Sequence, residues 1–443
     1  MKNPIALLMI SALALATWAC SDDDDKDPMP IEVDYEDPSR FSEIGEITLA
    51  GGEGAAGTDN GQVVFYDAAT LQMQQAVNVG PLPDMVTFSP DGAYAVVANE
   101  GEPDDNYTID PEGSISVITM SDYSVSTLGF SSFAGDQSSL EADGLRIFGP
   151  IASFAQDIEP EYITVSDDSR TAWVSLQENN AIARIDLITM TMTDVFPLGT
   201  KDFSAGPDLF DVSDEDNTLQ TNAWPVKSYY MPDALASFTL EGVSYVISAN
   251  EGDARDYDGY SEEARVEDVI LDPAVFTDAA TLQQPGQLGR LKITLAQGNT
   301  DSDEEYEELY AYGGRSFSIW NGATGEQVYD SGNDTEVKVQ ENSSLYPDGR
   351  SDDKGTEPEG VTVGKIEDRM IAFIGLERAD VVLIYDVTTP SSPSYLQLLE
   401  VGDAPEGLLF IPAADSPTGH SLLVVSSEDD GVVKVFQVGI SLI

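Results

Sequence analysis

The hydrophobic positions of this chain fall in short runs, apolar or alternating, broken by Pro, Asp, Gly and Ser. No 3.6-residue period of useful length appears outside the N-terminus. Val86–Phe88 and Tyr94–Ala98 flank Ser89-Pro90-Asp91-Gly92, and a Pro-Asp-Gly turn between two such runs predicts a β-hairpin. Ile163–Val165 and Ala172–Leu176 repeat the pattern around Asp167-Asp168-Ser169, and Ala234–Phe238 and Ser244–Ala249 repeat it around Glu241-Gly242. Third strands follow at Gln62–Tyr66, Ser114–Thr119, Ala181–Asp186, Arg290–Thr294, Ser316–Trp320, Val381–Tyr385 and Val432–Phe436. Fourth strands follow some of these, as at Gln72–Val79 and Tyr395–Val401. Three or four short antiparallel strands per unit, repeated about seven times, predict an all-β protein, a β-propeller with seven blades. Ile47–Ala50 has no nearby partner and is expected to complete the last blade beside Val432–Val438, closing the ring.

A phrase recurs within this pattern. Pro83-Asp84 leads to Glu100, Pro160-Glu161 to Glu178, Pro232-Asp233 to Glu251, Pro358-Glu359 to Glu377 and Pro405-Glu406 to Glu428. The offsets between the two acids are 16, 17, 18, 18 and 22 residues, one hairpin's worth each time. Internal repetition of this kind points to stacked or radial units. The stretch Met231–Tyr257 carries the fullest copy and adds Asp253 and Arg255 behind Glu251.

Composition sharpens the picture. The 443 residues carry 80 Asp and Glu against 20 Lys and Arg, a net charge of −60. Nucleic-acid binding is excluded, since phosphate backbones call for positive charge. The single histidine, His420, argues against His-based zinc, copper or iron sites and leaves a Ser-His-Asp triad little to stand on. Oxygen-only ligands suit Ca²⁺. Three acidic insertions, Ser131–Asp157, Gly199–Pro225 and Gly252–Leu288, are expected as loops on one face. Asp211, Asp214 and Asp216 are spaced like a calcium loop but lack its glycine and its closing glutamate. Asp256-Tyr257-Asp258-Gly259 echoes the same loop with Ala254 at the first ligand position.

The N-terminus reads as an address. Lys2 precedes an apolar run, Ile5–Ala19, that is short for a membrane span and fits a signal peptide ending at Cys20. Ala19 before Cys20 is similar to a lipobox, although Thr17 and Trp18 depart from it. Residues 1–20 are thus expected to be a lipoprotein signal peptide with Cys20 as the lipid acceptor, with simple secretion as the alternative. Residues 21–41 are expected as a disordered acidic tether and 42–443 as one propeller domain. With one Cys in the chain, no intramolecular disulfide can form.

Several stretches resemble the choice-of-anchor I domain family. These are Pro83-Asp84-Met85, Ala98-Asn99-Glu100-Gly101-Glu102-Pro103, Leu176-Gln177-Glu178-Asn179-Asn180-Ala181, Leu198-Gly199-Thr200-Lys201-Asp202, Met231-Pro232-Asp233, Ala249-Asn250-Glu251-Gly252-Asp253-Ala254-Arg255, Gly314-Arg315-Ser316-Phe317 and Pro358-Glu359-Gly360. The resemblance runs from about residue 42 to the end. It implies an extracellular YVTN/WD40-like propeller held at the cell surface by differing anchors. The family includes mesenchyme-specific cell-surface glycoproteins linked to biomineralisation, and some relatives are labelled alkaline phosphatases.

In a propeller, the loop entering a blade's inner strand lies near the axis. Asp84, Glu161, Asp233, Glu359 and Glu406 are therefore expected at the central channel, with Glu100, Glu178, Glu251, Glu377 and Glu428 behind them. Clustered carboxylates raise one another's pKa unless cations or N–H groups intervene. Three readings stay open: structural caps that accept backbone N–H groups, oxygen ligands for Ca²⁺ (with Asp253 added), or a catalytic set. Arg255, Arg315 and Arg378 are either neutralising partners or a clamp for an anionic ligand. The expected function is a calcium-assisted binding or scaffold module, a monomer recognising an extracellular ligand and touching the membrane only through its lipid. The alternative is a calcium-dependent phosphoesterase.

Overall fold

The computed structural model describes residues 37–48, 58–150, 152–216, 221–342 and 344–439, with 37–48 described as a strand path only. The signal segment, Cys20 and the tether up to residue 36 lie outside the described residues. Five four-stranded antiparallel sheets dominate. The first blade takes Pro83–Phe88, Tyr94–Asn99, Ser114–Thr119 and Ser124–Gly129. The second takes Ile163–Val165, Thr171–Leu176, Ala181–Asp186 and Thr191–Pro197. The third takes Leu235–Leu240, Val243–Asn250, Ser316–Asn321 and Gln327–Asp330. The fourth takes Pro358–Ile366, Arg369–Leu376, Val381–Asp386 and Ser394–Glu400. The fifth joins Pro405–Ile411, Leu422–Ser427 and Val432–Gly439 to Asp37–Thr48 from the start of the chain.

That last pairing closes the ring as the sequence predicts, with Ile47 opposite Val433 and Thr48 opposite Val432. The strand begins at Asp37, so the end of the expected tether belongs to the sheet. First strands of successive blades pack side by side, from the first blade to the fifth. Between the fifth and first blades lies a two-stranded hairpin, Asn60–Tyr66 with Met73–Pro81, which packs on the first blade. This is the radial order of a β-propeller. The expected count of seven is not reached among the described residues. Ser316–Asn321 founds no blade of its own but completes the third one, and Lys292–Thr294 pairs with Glu263–Arg265 in the insertion.

Local chemistry sets the hairpins. Ser89 donates its hydroxyl to Asp91 (2.7 Å) and its N–H to the Tyr94 carbonyl (2.9 Å), while Gly92 takes a φ of 69°. Ser166, Asp168 and Ser169 build the same turn, with Ser169 at a φ of 61°. Glu241 and Gly242 both have positive φ (50° and 82°), as a two-residue type I′ turn requires. Apolar faces of adjacent blades then bury one another: Val96, Ile115, Val174 and Ile185 between the first two, and Phe317, Ile374, Val381 and Leu383 between the third and fourth.

The insertions are not simple surface loops. Segments on both sides of the third blade's second strand share a core of their own, built on Phe203, Phe210, Trp224, Val266, Phe276 and Leu288. Small sheets lace it together, Thr200–Asp202 with Lys227–Tyr229 and Ile270–Leu271 with Glu305–Tyr306. Burial of scattered aromatics, rather than any strand period, holds this satellite to the propeller. Among the described residues, no helix is long and apolar enough to cross a membrane.

Candidate functional site: a carboxylate ring on the propeller axis

The Pro-acid pair opens the first strand in the first, fourth and fifth blades and lies just ahead of it in the second and third, and each following Glu comes just after the second strand. The backbone explains how the two meet. The residue ahead of the proline takes a left-handed φ in four of the five copies: Leu82 (45°), Met231 (49°), Glu357 (51°) and Ala404 (55°). A non-glycine residue seldom adopts this conformation, and a proline after it disfavours it further. Its carbonyl then accepts the N–H of the later acid: Glu100 to Leu82 (2.8 Å), Glu377 to Glu357 (2.9 Å) and Glu428 to Ala404 (2.9 Å). In the third blade Gly252, next to Glu251, donates to Met231 (3.2 Å). Strain of this kind persists only where the surroundings hold it. Asn180 accepts the N–H of Met231 at 3.0 Å, and other buried asparagines brace the strands and loops nearby. Asn99 and Asn250 bond to serines of the neighbouring third strands, and Asn179 bonds to the carbonyls of Arg146 and Asp157.

The two acids of a blade therefore sit together, and the blades bring the pairs to one axis. Asp233 interacts electrostatically with Glu251, Asp84 and Glu406, and Glu161 interacts with Glu178, Glu100 and Asp233. Glu359 does so with Glu251, Asp233 and Glu377, and Glu406 with Glu428, Glu377 and Asp84. All ten repeated acids thus belong to one ring. Glu161, Glu178, Glu251 and Glu377 are buried, at 7–9% exposure, whereas Asp84, Glu406 and Glu428 are exposed. The open side is the one where the two-stranded hairpin stands in for a full blade. Asp253 lies at the rim, exposed, with an oxygen 3.6 Å from Lys354.

Burial and repulsion dominate the electrostatics. Carboxylate oxygens of Glu251, Glu359 and Glu377 lie within 4.8 Å of one another. Two ionised groups at that separation repel by about 3–4 kcal/mol at an effective dielectric constant of about 20. Burial first, then Glu178 and Glu100, raises the carboxyl of Glu161 far above the ordinary range. Burial, then the charges of Glu251, Asp233 and Glu377, does the same to Glu359. Buried oxygens of Glu161, Glu178 and Glu359 have no hydrogen-bond partner.

Positive charge reaches only part of the ring. Lys354 places its ammonium 2.5 Å from Glu251 and 3.7 Å from Glu357. Burial opposes its charge, but Glu251, Asp253 and Glu357 outweigh that and hold it protonated. Arg378 bonds Glu377 at 2.8 Å. Nothing in the repeat pattern marks Lys354, and the sequence reading missed it. The other two arginines singled out from the sequence serve as internal counter-ions. Arg255 spends its guanidinium on Asp157 (2.6 Å) and Glu159 (2.7 Å and 3.0 Å) and on the Asp157 carbonyl. Arg315 spends its own on Glu336 (3.0 Å) and the carbonyls of Asp211, Ser351 and Asp353. Both are buried at 2% exposure, so a clamp of Arg255 and Arg315 on an outside anion does not form. The supposed calcium loop is likewise committed, since Asp214 binds Arg290 at 2.9 Å and 3.1 Å.

The model of the choice-of-anchor I domain matches residues 44–390, most of the chain, ending after the third strand of the fourth blade. The chain belongs to the choice-of-anchor I family. Among its relatives, Gigasin-3a of Magallana gigas is 31% identical over 191 residues, 36% of this chain and 67% of that protein. A mesenchyme-specific cell surface glycoprotein of Strongylocentrotus purpuratus is 26% identical over 294 residues, 56% of this choice-of-anchor I chain and 38% of the glycoprotein. The chain thus spans well under half of that glycoprotein. Solved structures with a similar course include the Dos1 propeller, with a TM-score of 0.40, 8% identity and coverage of 86% of this chain and 64% of that one. Another is a functionally unknown protein from Desulfotomaculum acetoxidans, with a TM-score of 0.37, 9% identity and coverage of 84% and 74%. At such scores the overlays add nothing to the fold that the sheets define by themselves.

Proposed function

We propose that this protein is a surface-associated binding or scaffold module, anchored through Cys20, whose axial carboxylate ring takes up calcium and presents it to an extracellular ligand. The observation that carries the reading is the convergence of paired acids from five blades on one axis, with buried oxygens left unpartnered. Unpaired buried carboxylates are costly, and a hard divalent cation is the ligand that removes the cost without altering the fold. The surface location is supported by the family and by the cell-surface name of the sea-urchin relative. The phosphoesterase alternative loses ground, because the arginines that would hold a phosphate are tied up internally.

A thermal melt of the full-length protein in EDTA and in millimolar Ca²⁺, with elemental analysis beside it, tests this. The reading predicts a higher midpoint in calcium and calcium in the purified protein. Identical melts without bound metal would leave the acids as structural caps.

A further inference from the structure

The circle of blades is thin at one place. Between the fifth and first blades stands only the hairpin of Asn60–Tyr66 and Met73–Pro81, where each full blade has four strands. Met73–Pro81 packs on the first blade's second, third and fourth strands. Among the described residues, Asn60–Tyr66 pairs with Met73–Pro81 alone, so its other edge presents unpaired backbone N–H and C=O groups. Strand alternation turns apolar side chains towards this gap. On Pro83–Phe88, Met85 packs towards the second blade, while its alternates Val86 and Phe88 are exposed, Val86 at 49%. On Asn60–Tyr66, Val63 and Phe65 pack on the first blade, and Val64 and Tyr66 are exposed. On Pro405–Ile411, Leu408 packs with the fourth blade and Leu409 is exposed. The rings of Phe65 and Phe88 lie 6.2 Å apart, which joins the hairpin to the first blade's inner strand.

Charge marks the same place. Natural proteins guard an open strand edge with charged residues, prolines or a covering element. Here residues 60–83 hold a single charged residue, Asp67, in a chain with 80 Asp and Glu. The acids gather instead at the ring end of the gap, where Asp84, Glu406 and Glu428 are exposed. Among the described residues, no ion pair reaches these three. We propose that the gap is a docking slot for an extended, basic strand of another protein. The strand's backbone pairs with Asn60–Tyr66, its apolar side chains pack on Val86, Phe88 and Leu409, and its lysine or arginine meets Asp84, Glu406 and Glu428. Backbone pairing supplies affinity in strand addition, and the side chains supply specificity. The charge selects the occupant. A second copy of this chain, with a net charge of −60, brings acids to acids, and so does the chain's own Ile31–Tyr35, whose apolar residues alternate with acids. None of this needs an ion in the ring.

The test is fluorescence anisotropy in EDTA, with the full-length protein and a synthetic peptide of alternating valine and threonine that carries a lysine at each end. Saturable one-to-one binding is expected. Val86→Asn and Phe88→Asn should each weaken it by roughly tenfold, and Asp84→Asn by about as much. The peptide with glutamates in place of its lysines, or with alternate backbone amides methylated, should bind at least roughly tenfold more weakly. On the wild type, bound peptide should slow hydrogen exchange across residues 60–66, which contact between side chains alone does not do. Absence of binding, or binding that ignores Val86→Asn and Phe88→Asn and leaves exchange at 60–66 unchanged, would overturn the slot. Binding that appears only after Val33→Asp would assign the slot to the chain's own N-terminal segment. A dimer in sedimentation that Val86→Asn dissolves would assign it to a second copy. Either result would overturn the proposal.

Discussion

The second and fourth blades are built from the same phrase and end in different electrostatic states. Each opens with Pro-Glu, and in each the residue before the proline is a buried glutamate neutralised by arginine. Glu159 is held by Arg255, and Glu357 by Arg350 (2.7 Å) and Arg378 (3.4 Å). In each the opening acid interacts electrostatically with the later one, Glu161 with Glu178 and Glu359 with Glu377. The difference is the segment leading in. The approach to the fourth blade carries Lys354, which reaches across to Glu251 of the third. The approach to the second carries Arg146, which turns instead to Glu262 in the satellite. One basic residue, placed or diverted by a connecting segment, decides whether nearby ring carboxylates are neutralised from within.

The comparison can be broken at several points. Lys354→Met removes one member of a buried pair and leaves Glu251 charged without a partner. It should cost about 3–5 kcal/mol in EDTA, read by urea denaturation, and millimolar calcium should recover part of this loss. Calcium on the wild type should stabilise by about 2.7 kcal/mol at a hundred times the dissociation constant, read as the difference between urea denaturation in calcium and in EDTA.

Acidity gives a third handle. Burial, with Asp253 and Glu357 and against the pull of Lys354, raises Glu251 to about 7, above its value in an unfolded chain. A carboxyl raised on folding binds more protons in the folded state. Its destabilising effect is complete above the folded pKa and is relieved as pH falls through it. Metal-free protein should therefore gain stability as the pH is lowered from about 8 towards 6. Saturating calcium should flatten or invert that trend, because the ion competes with the protons. Denaturation midpoints in EDTA and in calcium across this range supply the check. The smallest effect is expected at the edge of the ring, where Tyr257 donates its hydroxyl to Glu102 at 3.0 Å. Tyr257→Phe should cost about 1 kcal/mol and leave the ion count unchanged.

What was legible in the sequence follows the physics of each feature. Hairpins leave a local record, so the strands, the turns at Ser89–Gly92 and Glu241-Gly242, the pairing of residues 432–438 with the chain's start and the ten axial acids could all be read. The left-handed residues before the prolines leave no such record, because Leu82, Met231, Glu357 and Ala404 share no side-chain chemistry. Lys354 occurs once and outside the repeat, so no pattern points to it. Arg255 and Arg315 stood out as scarce cations, but their partners Asp157, Glu159 and Glu336 are distant in sequence and only the fold brings them near. The expected seven blades are not reached among the described residues because much of the satellite is inserted between the second and third strands of the third blade. Ser316–Asn321 then looks like the start of something new. The satellite core itself rests on aromatics such as Phe203, Trp224 and Phe276, scattered among polar residues without a period.

The central claim is that the axial carboxylate ring holds a divalent cation. Anomalous diffraction from crystals of the protein grown with Mn²⁺ in place of Ca²⁺ tests it most directly. The account predicts a peak coordinated by carboxylates of the ring. A ring without any peak would contradict it.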